Sequence, residues 1–108
     1  MIHFLTQIFV QEAYEEKKLG DTAFIMENFD LALKHYKKAS ELSPTDIIFY
    51  LLVAQVYSNQ EQFDKCIEEC VKAVLVGAKN GATAESIDQA RLLIADAVLQ
   101  QRGVYFFK

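Results

Sequence analysis

The sequence has few of the residues that interrupt regular structure, with one proline and four glycines among 108 residues. All-β domains need many tight turns that draw on these two residues, so the composition argues against an all-β fold. Basic residues are also few: the 11 Lys and Arg are outnumbered by 15 Asp and Glu, which gives a net charge of −4. A nucleic-acid-binding domain normally carries a basic surface. We therefore expect no nucleic-acid partner.

Cysteine and histidine are too few for a disulfide framework or a metal site. Cys66 and Cys70 are four residues apart in a helical context, so they lie on one helix face. The two histidines, His3 and His35, are not at metal-ligand spacing from the cysteines. The sequence predicts two small buried thiols in a reducing, cytoplasmic setting, with no metal and no cofactor.

The first ten residues, 1–10, are mostly apolar. No Lys or Arg precedes this run and no small-residue cleavage site follows it, which argues against a signal peptide. The run is half the length of a membrane span, so no membrane partner is expected. Ile2, Leu5, Ile8 and Phe9 recur at helical spacing and predict an extra packing stripe at the start of the first helix. The sequence leaves open whether residues 1–12 fold separately, and whether the chain is a whole protein or an excised domain.

An internal repeat of 34 residues organises the chain. Displacing the sequence by 34 positions brings together identical residues at Glu27 and Glu61, Phe29 and Phe63, Asp30 and Asp64, Lys38 and Lys72, and Ala39 and Ala73. This period is the length of a tetratricopeptide-repeat (TPR) helix–turn–helix unit. The sequence predicts repeat 1 at 13–46, repeat 2 at 47–80, a final helix at about 83–108 and an apolar N-terminal extension at 1–12.

The predicted architecture is one all-α domain of stacked helices in a right-handed superhelix. Helices are expected at about 3–26, 29–42, 47–59, 63–76 and from 84 to 101 or beyond. Glycines at both ends of residues 77–81 predict a loop there, and Thr83 is the expected N-cap of the last helix.

Two segments resemble the chaperone-binding TPR domains of the heat-shock organising co-chaperone family. They are residues 32–45 (ALKHYKKASELSPT) and 63–73 (FDKCIEECVKA), and the similarity spans roughly residues 12–80. Members of that family bind the Glu-Glu-Val-Asp tail of a chaperone in a concave groove. A clamp of Lys, Asn and Arg side chains holds the two terminal carboxylates. The resemblance implies a protein or peptide partner, with a heat-shock chaperone as a candidate.

Most of the clamp is absent at the positions that the resemblance indicates. Lys17 matches the first lysine, whereas Asp21 and Leu52 stand where the family has asparagines. The last two basic positions fall on Gln89 and Leu93 if aligned forward from Gly77, or on Ala97 and Gln101 if aligned backward from Gly103. A carboxylate at position 21 repels another carboxylate. Tail binding is therefore the alternative rather than the leading prediction.

The first helix of each repeat should line the concave groove, and its residues are mainly apolar. The candidate peptide-binding residues are Tyr14, Lys17, Lys18, Asp21, Phe24, Ile48, Leu51, Leu52, Gln55 and Arg91. Core packing is an alternative explanation for Tyr14 and Phe24, and at least one of Leu51 and Leu52 should point outward. This composition favours an apolar partner, such as an amphipathic helix.

The end of the chain predicts self-association. A terminal repeat helix usually has a polar outer face, whereas the last helix here is apolar over a wide arc. The candidate oligomer interface comprises Leu92, Leu99, Val104, Tyr105, Phe106 and Phe107. We find no phosphate loop, nucleophile elbow or metal cluster, so an enzyme is not expected. The sequence thus predicts a non-enzymatic, self-associating adaptor, and the alternatives are a co-chaperone-like tail binder and a homo-oligomerising structural relic.

Overall fold

Five helices make up the computed structural model, which describes residues 2–103. They are α1 (Ile2–Ile25), α2 (Phe29–Leu42), α3 (Ile47–Asn59), α4 (Phe63–Asn80) and α5 (Ala84–Gln101). Each helix packs against the next one along the chain, and α3 also contacts α5. The helix bounds predicted from the sequence are confirmed for α2 and α3 and lie within one residue for α1.

Polar side chains start three of the helices. Oxygens of Asn28, Asp46 and Thr83 accept hydrogen bonds from the backbone N–H groups of Leu31, Ile48 and Ser86. Each bond satisfies an N–H that has no partner inside the helix. The predicted N-cap at Thr83 is confirmed.

The two helix–turn–helix units have the same turn. After α1, Glu27 takes a positive φ of 59°, and after α3, Glu61 takes a φ of 60°. The next residue in each case, Asn28 or Gln62, donates its backbone N–H to a carbonyl five residues earlier at 2.8 Å. This pattern is a Schellman motif, which closes the helix and reverses the chain. The 34-residue period therefore places identical turns at equivalent positions.

The predicted loop at residues 77–81 is wrong, because α4 continues to Asn80. Gly77 is buried inside the helix, where an added Cβ would lie 3.1 Å from the Ala82 side chain and 3.4 Å from those of Ile47 and Ile87. Because Gly77 has no side chain, neighbouring segments can approach α4 closely. Gly77 therefore does not end the helix. Gly81, with a φ of 74°, ends the helix.

The final helix occupies the residues predicted for it, from 84 to 101. The helix α5 ends at Gln101, Arg102 is its C-cap, and Gly103 has a φ of 71°. Residues 104–108 lie outside the described part of the chain.

The core centres on α3, which has no charged residue over its 13 positions. Seven of its residues are buried, because α2, α4 and α5 all contact this helix. Cys66 and Cys70 of α4 are buried in the same core as free thiols. The hydrogen bond between the two sulfur atoms, and then burial, raise the pKa of Cys70. A buried thiol with a raised pKa is a packing group rather than a nucleophile.

Helix α1 is continuous from Ile2 to Ile25, so residues 2–12 belong to one long first helix. The predicted packing stripe over its first half is wrong for Ile2, Leu5 and Phe9, which are 80%, 52% and 46% exposed. Ala13 packs in a cluster with Leu42, the last residue of α2. The first half of α1 therefore extends beyond the end of the helix that covers its second half.

No helix within residues 2–103 has the length and apolar character needed to cross a membrane.

Candidate peptide-binding groove

A groove of about 440 Å³ lies between α3 and α5. Its lining residues are Leu51, Gln55, Gln89, Leu92, Leu93 and Asp96. Leu51 is only 5% exposed, whereas Leu92 is 70% exposed. The groove thus combines an apolar floor, an accessible apolar side chain and two neutral amides. Asp96 is the one ionisable side chain among these lining residues.

The resemblance places the last two clamp positions on Gln89 and Leu93, which do line the groove, although neither is among the candidate peptide-binding residues, and Asp96 is not predicted at all. A signal for the α5 side of the groove is the spacing of equivalent positions along the chain. The N-cap of α5, Thr83, stands 37 residues after the N-cap of α3, Asp46. Counting from the caps places Leu92 opposite Gln55 in the repeat, whereas the 34-residue period places Gln89 opposite it, and both residues line the groove. Helix α4 has 18 residues against 14 in α2, and the loop after it is one residue shorter, so the last helix is displaced from the repeat period.

Lys17 and Asp21 form an internal pair rather than an open clamp. Lys17 Nζ lies 2.9 Å from Asp21 Oδ2, and the Tyr36 hydroxyl donates a hydrogen bond of 2.5 Å to Asp21 Oδ1. Both oxygens of Asp21 therefore have partners within the chain. Burial, and then this hydrogen bond, raise the pKa of Tyr36. The one clamp lysine is thus already bound to the residue that stands where the family has asparagine.

Two other predicted groove residues of α1 have partners within the chain. The Tyr14 hydroxyl donates a hydrogen bond of 2.9 Å to Asp46 Oδ2, and its ring packs edge-on against Phe49 with centroids 5.2 Å apart. Lys18 is exposed, and its Nζ lies 3.5 Å from Glu15 Oε1. Tyr14 thus joins α1 to the start of α3.

The remaining predicted groove residues are divided between core and surface. Phe24, Ile48 and Leu52 are half-buried and pack against the core clusters. Of the adjacent pair Leu51 and Leu52, neither is exposed, so the expectation that one of them points outward is wrong. Both side chains are covered because α2, α4 and α5 all pack against α3. Arg91 lies outside the lining of the α3–α5 groove, with its guanidinium 3.5 Å from Asp88.

The predicted oligomer interface is only partly within the described residues. Leu92 is exposed and also lines the groove, whereas Leu99 is half-buried. Val104, Tyr105, Phe106 and Phe107 lie outside the described residues.

Comparison with known families agrees with the two helix–turn–helix units and their repeated turns. The family model described as Tetratricopeptide repeat matches residues 18–46 and 48–76. The chain belongs to the tetratricopeptide-repeat family.

The curated relatives of this TPR chain are co-chaperones. It is 38% identical over 92 residues to the stress-induced-phosphoprotein 1 of Caenorhabditis elegans, which covers 85% of this chain and 29% of that protein. It is 36% identical over 78 residues to the Hsp70-Hsp90 organizing protein of Triticum aestivum, covering 72% of this chain and 13% of the relative. The chain therefore spans less than a third of either relative. The resemblance to the heat-shock organising co-chaperones is confirmed.

Two solved structures are similar to this TPR chain. The N-terminal domain of stress-induced protein-1 from C. elegans superposes with a TM-score of 0.84 at 36% identity, covering 87% of this chain and 74% of that one. The TPR domain of Arabidopsis OM64 shares the fold, with a TM-score of 0.74 at 20% identity, covering 88% and 73%. The TPR fold is a protein-interaction scaffold, and the all-α repeat architecture is confirmed.

Proposed function

We propose that this TPR chain is a non-enzymatic, cytoplasmic interaction module whose α3–α5 groove binds an apolar helical segment of a partner protein. The observation that carries the proposal is the groove lining, in which Leu92 is 70% exposed beside Leu93 and above the buried Leu51. An exposed leucine on the wall of a concave site gains free energy when a partner covers it.

The groove chemistry favours an amphipathic helix over an acidic peptide. Such a helix presents apolar anchors at positions i, i+3 or i+4 and i+7, which suit an apolar floor between α3 and α5. Gln55 and Gln89 offer neutral hydrogen-bonding groups at the edges, and Asp96 favours a basic flank on the partner. Asp96 would instead repel a carboxylate.

Fluorescence anisotropy with a labelled model peptide tests this proposal. The probe is a helical peptide with leucines on one face and lysines on the other, and its control is a scrambled sequence of the same composition. We expect specific binding that Leu92→Glu weakens at least tenfold and that Lys17→Ala leaves unchanged. Leu75→Glu is the matched control, because Leu75 is also exposed but lies on α4, outside the groove lining. Equal binding by the wild type and Leu92→Glu would refute a role for the groove.

The alternative is binding of an acidic chaperone tail, which the names of the Hsp70-Hsp90 organizing relatives suggest. Calorimetric titration with acetylated Met-Glu-Glu-Val-Asp at low salt separates the two. We expect no micromolar binding, because Lys17 is paired with Asp21 and Leu52 can donate no hydrogen bond from its side chain. Micromolar binding that Lys17→Ala abolishes would establish the alternative in place of our proposal.

Self-association is a further part of the proposal, and the exposed Leu92 supports it. A purely structural relic would bind neither peptide and would only self-associate.

A further inference from the structure

The first half of α1 is a helical segment with an unusual amount of uncovered apolar surface. Five large apolar side chains are exposed between residues 2 and 10, namely Ile2, Phe4, Leu5, Phe9 and Val10. No Asp, Glu, Lys or Arg occurs before Glu12. Soluble monomers rarely expose contiguous apolar patches larger than a few hundred Å². We therefore expect another protein surface to bury the apolar side chains of this half-helix.

Ile2, Leu5 and Phe9 follow the i, i+3, i+7 spacing of a groove-binding helix. They continue the face that buries Ala13 and Gly20 against α2. The half-helix thus matches the apolar part of the α3–α5 groove, and it carries no carboxylate that would oppose Asp96.

The half-helix cannot reach the groove of its own chain. The side chain of Tyr14, a residue of α1, lies against the start of α3, where its hydroxyl donates a hydrogen bond to Asp46. Residues 2–10 precede this point on a continuous helix and extend away from it, whereas the groove begins further along α3 at Leu51. A continuous helix cannot fold back on itself. Any groove that takes this segment belongs to another molecule.

We infer that residues 2–10 of one copy occupy the α3–α5 groove of a second copy. This inference rests on the proposed function of the groove and specifies one of its ligands. The contact is heterologous, because the half-helix lies on the first repeat and the groove lies beside the last helix. Copies therefore associate head to tail, each offering one half-helix and one groove. Such a contact buries on the order of 1,000 Å² in total, which is the range of weak, concentration-dependent association.

A pairing of two α5 helices is less favourable on charge. Three exposed carboxylates of α5, Glu85, Asp88 and Asp96, outnumber its one basic residue, Arg91, so a symmetric contact through α5 would bring two surfaces of net negative charge together. A pairing of two α1 halves avoids this repulsion but leaves Leu92 uncovered. Only the head-to-tail contact covers both apolar surfaces at once.

Sedimentation velocity over micromolar to millimolar concentrations tests the inference. The wild type should show a mass that rises with concentration, whereas Leu5→Glu and Leu92→Glu should each remain monomeric. Leu75→Glu, at an exposed position on α4, should behave as the wild type does. Circular dichroism of each variant checks that the helical fold is kept, which is expected because all three positions are exposed. A wild type that stays monomeric throughout would overturn the inference.

Mixing the two defective variants gives the decisive result. Leu92→Glu keeps an intact half-helix and Leu5→Glu keeps an intact groove, so together they should form a one-to-one dimer that grows no further. Self-association of Leu92→Glu alone would indicate α1–α1 pairing, and that of Leu5→Glu alone would indicate α5–α5 pairing. Either result, or a mixture that stays monomeric, overturns the head-to-tail contact. Binding of the helical probe by Leu5→Glu reports on the proposed groove function separately, since that variant leaves the groove unoccupied.

Discussion

The backbone of Gly20 lies directly against the ring of Tyr36. A Cβ added at Gly20 would lie 2.6 Å from Cδ1 and from Cε1 of that ring, well inside van der Waals contact. Tyr36 is 2% exposed, and its hydroxyl is hydrogen-bonded to Asp21. The ring therefore has little freedom to move aside. This contact sets the close approach of α1 and α2 in the first repeat.

Gly20→Ala should destabilise the protein even though alanine is the better helix former. The substitution gains about 1 kcal/mol of helix propensity. Overpacking against the fixed ring costs about 1–3 kcal/mol, and we expect this cost to be the larger. Thermal unfolding followed by circular dichroism should show a Tm lower by roughly 5–10 °C. Lys18→Ala, on the exposed side of α1, should change the Tm little, and a Tm raised by Gly20→Ala would mean that the ring can move.

The repeated contacts explain how much of the fold could be predicted from the sequence. Gly20 and its counterpart Ala54 recur at 34 residues, as do the turn residues Glu27 and Glu61, because each unit needs the same close approach and the same turn. Local patterns of this kind reveal helices and caps. They do not reveal whether Gly77 ends a helix or makes room for a neighbour, since both roles use glycine.

The candidate site was predicted less completely for a related reason. Its position depends on the register of α5, which is set by the greater length of α4 relative to α2 and not by the repeat period. Asp96 was missed because nothing local distinguishes it from any exposed carboxylate of a helix. The partners of Lys17 and Tyr14 were missed because each pairing requires the folded arrangement of neighbouring turns or helices.

Tyr36 should make the protein sensitive to alkaline pH. Burial, and then the hydrogen bond to Asp21, raise its pKa above the ordinary value of about 10. The folded state therefore holds the phenol proton more tightly than the unfolded state does. The resulting stability is fully present below about pH 10 and is lost as the pH rises toward the folded-state pKa. Urea unfolding should show a free energy of unfolding that declines above about pH 10.

Tyr36→Phe separates this effect from the other groups that titrate at high pH. The variant keeps the ring packing against Gly20 but has no hydroxyl to ionise. Its free energy of unfolding should fall less steeply with pH than that of the wild type. If the free energy of unfolding falls equally steeply with pH in the two proteins, Tyr36 ionises as readily in the folded state as in the unfolded state.

Glu27→Gly and Glu61→Gly should each stabilise the protein. Both glutamates hold positive φ angles, 59° and 60°, which cost an L-residue about 1 kcal/mol relative to glycine. Part of this gain is offset because glycine has more freedom in the unfolded chain, so we expect roughly 0.5 kcal/mol for each change. Glu68→Gly is the matched control, since it removes the same side chain from the exposed interior of α4 and should lower stability by about 1 kcal/mol. Urea unfolding that finds all three variants destabilised would contradict the strain at these turns.

Asp21→Asn should release Lys17 and improve the binding of an acidic peptide. The amide oxygen of asparagine can still accept the Tyr36 hydroxyl, so the fold should be kept, while the carboxylate that now pairs with Lys17 at 2.9 Å is removed. Removing one nearby negative charge should raise the affinity for acetylated Met-Glu-Glu-Val-Asp by about tenfold at low salt, after allowance for solvent screening. Calorimetric titration of the wild type, Asp21→Asn and Lys17→Ala/Asp21→Asn measures this change, and the double variant should lose the gain. If Asp21→Asn binds the peptide no better than the wild type does, the repulsion by Asp21 is not what limits tail binding. The lack of a side-chain donor at Leu52 and of basic residues at the clamp positions of α5 must then suffice to prevent it.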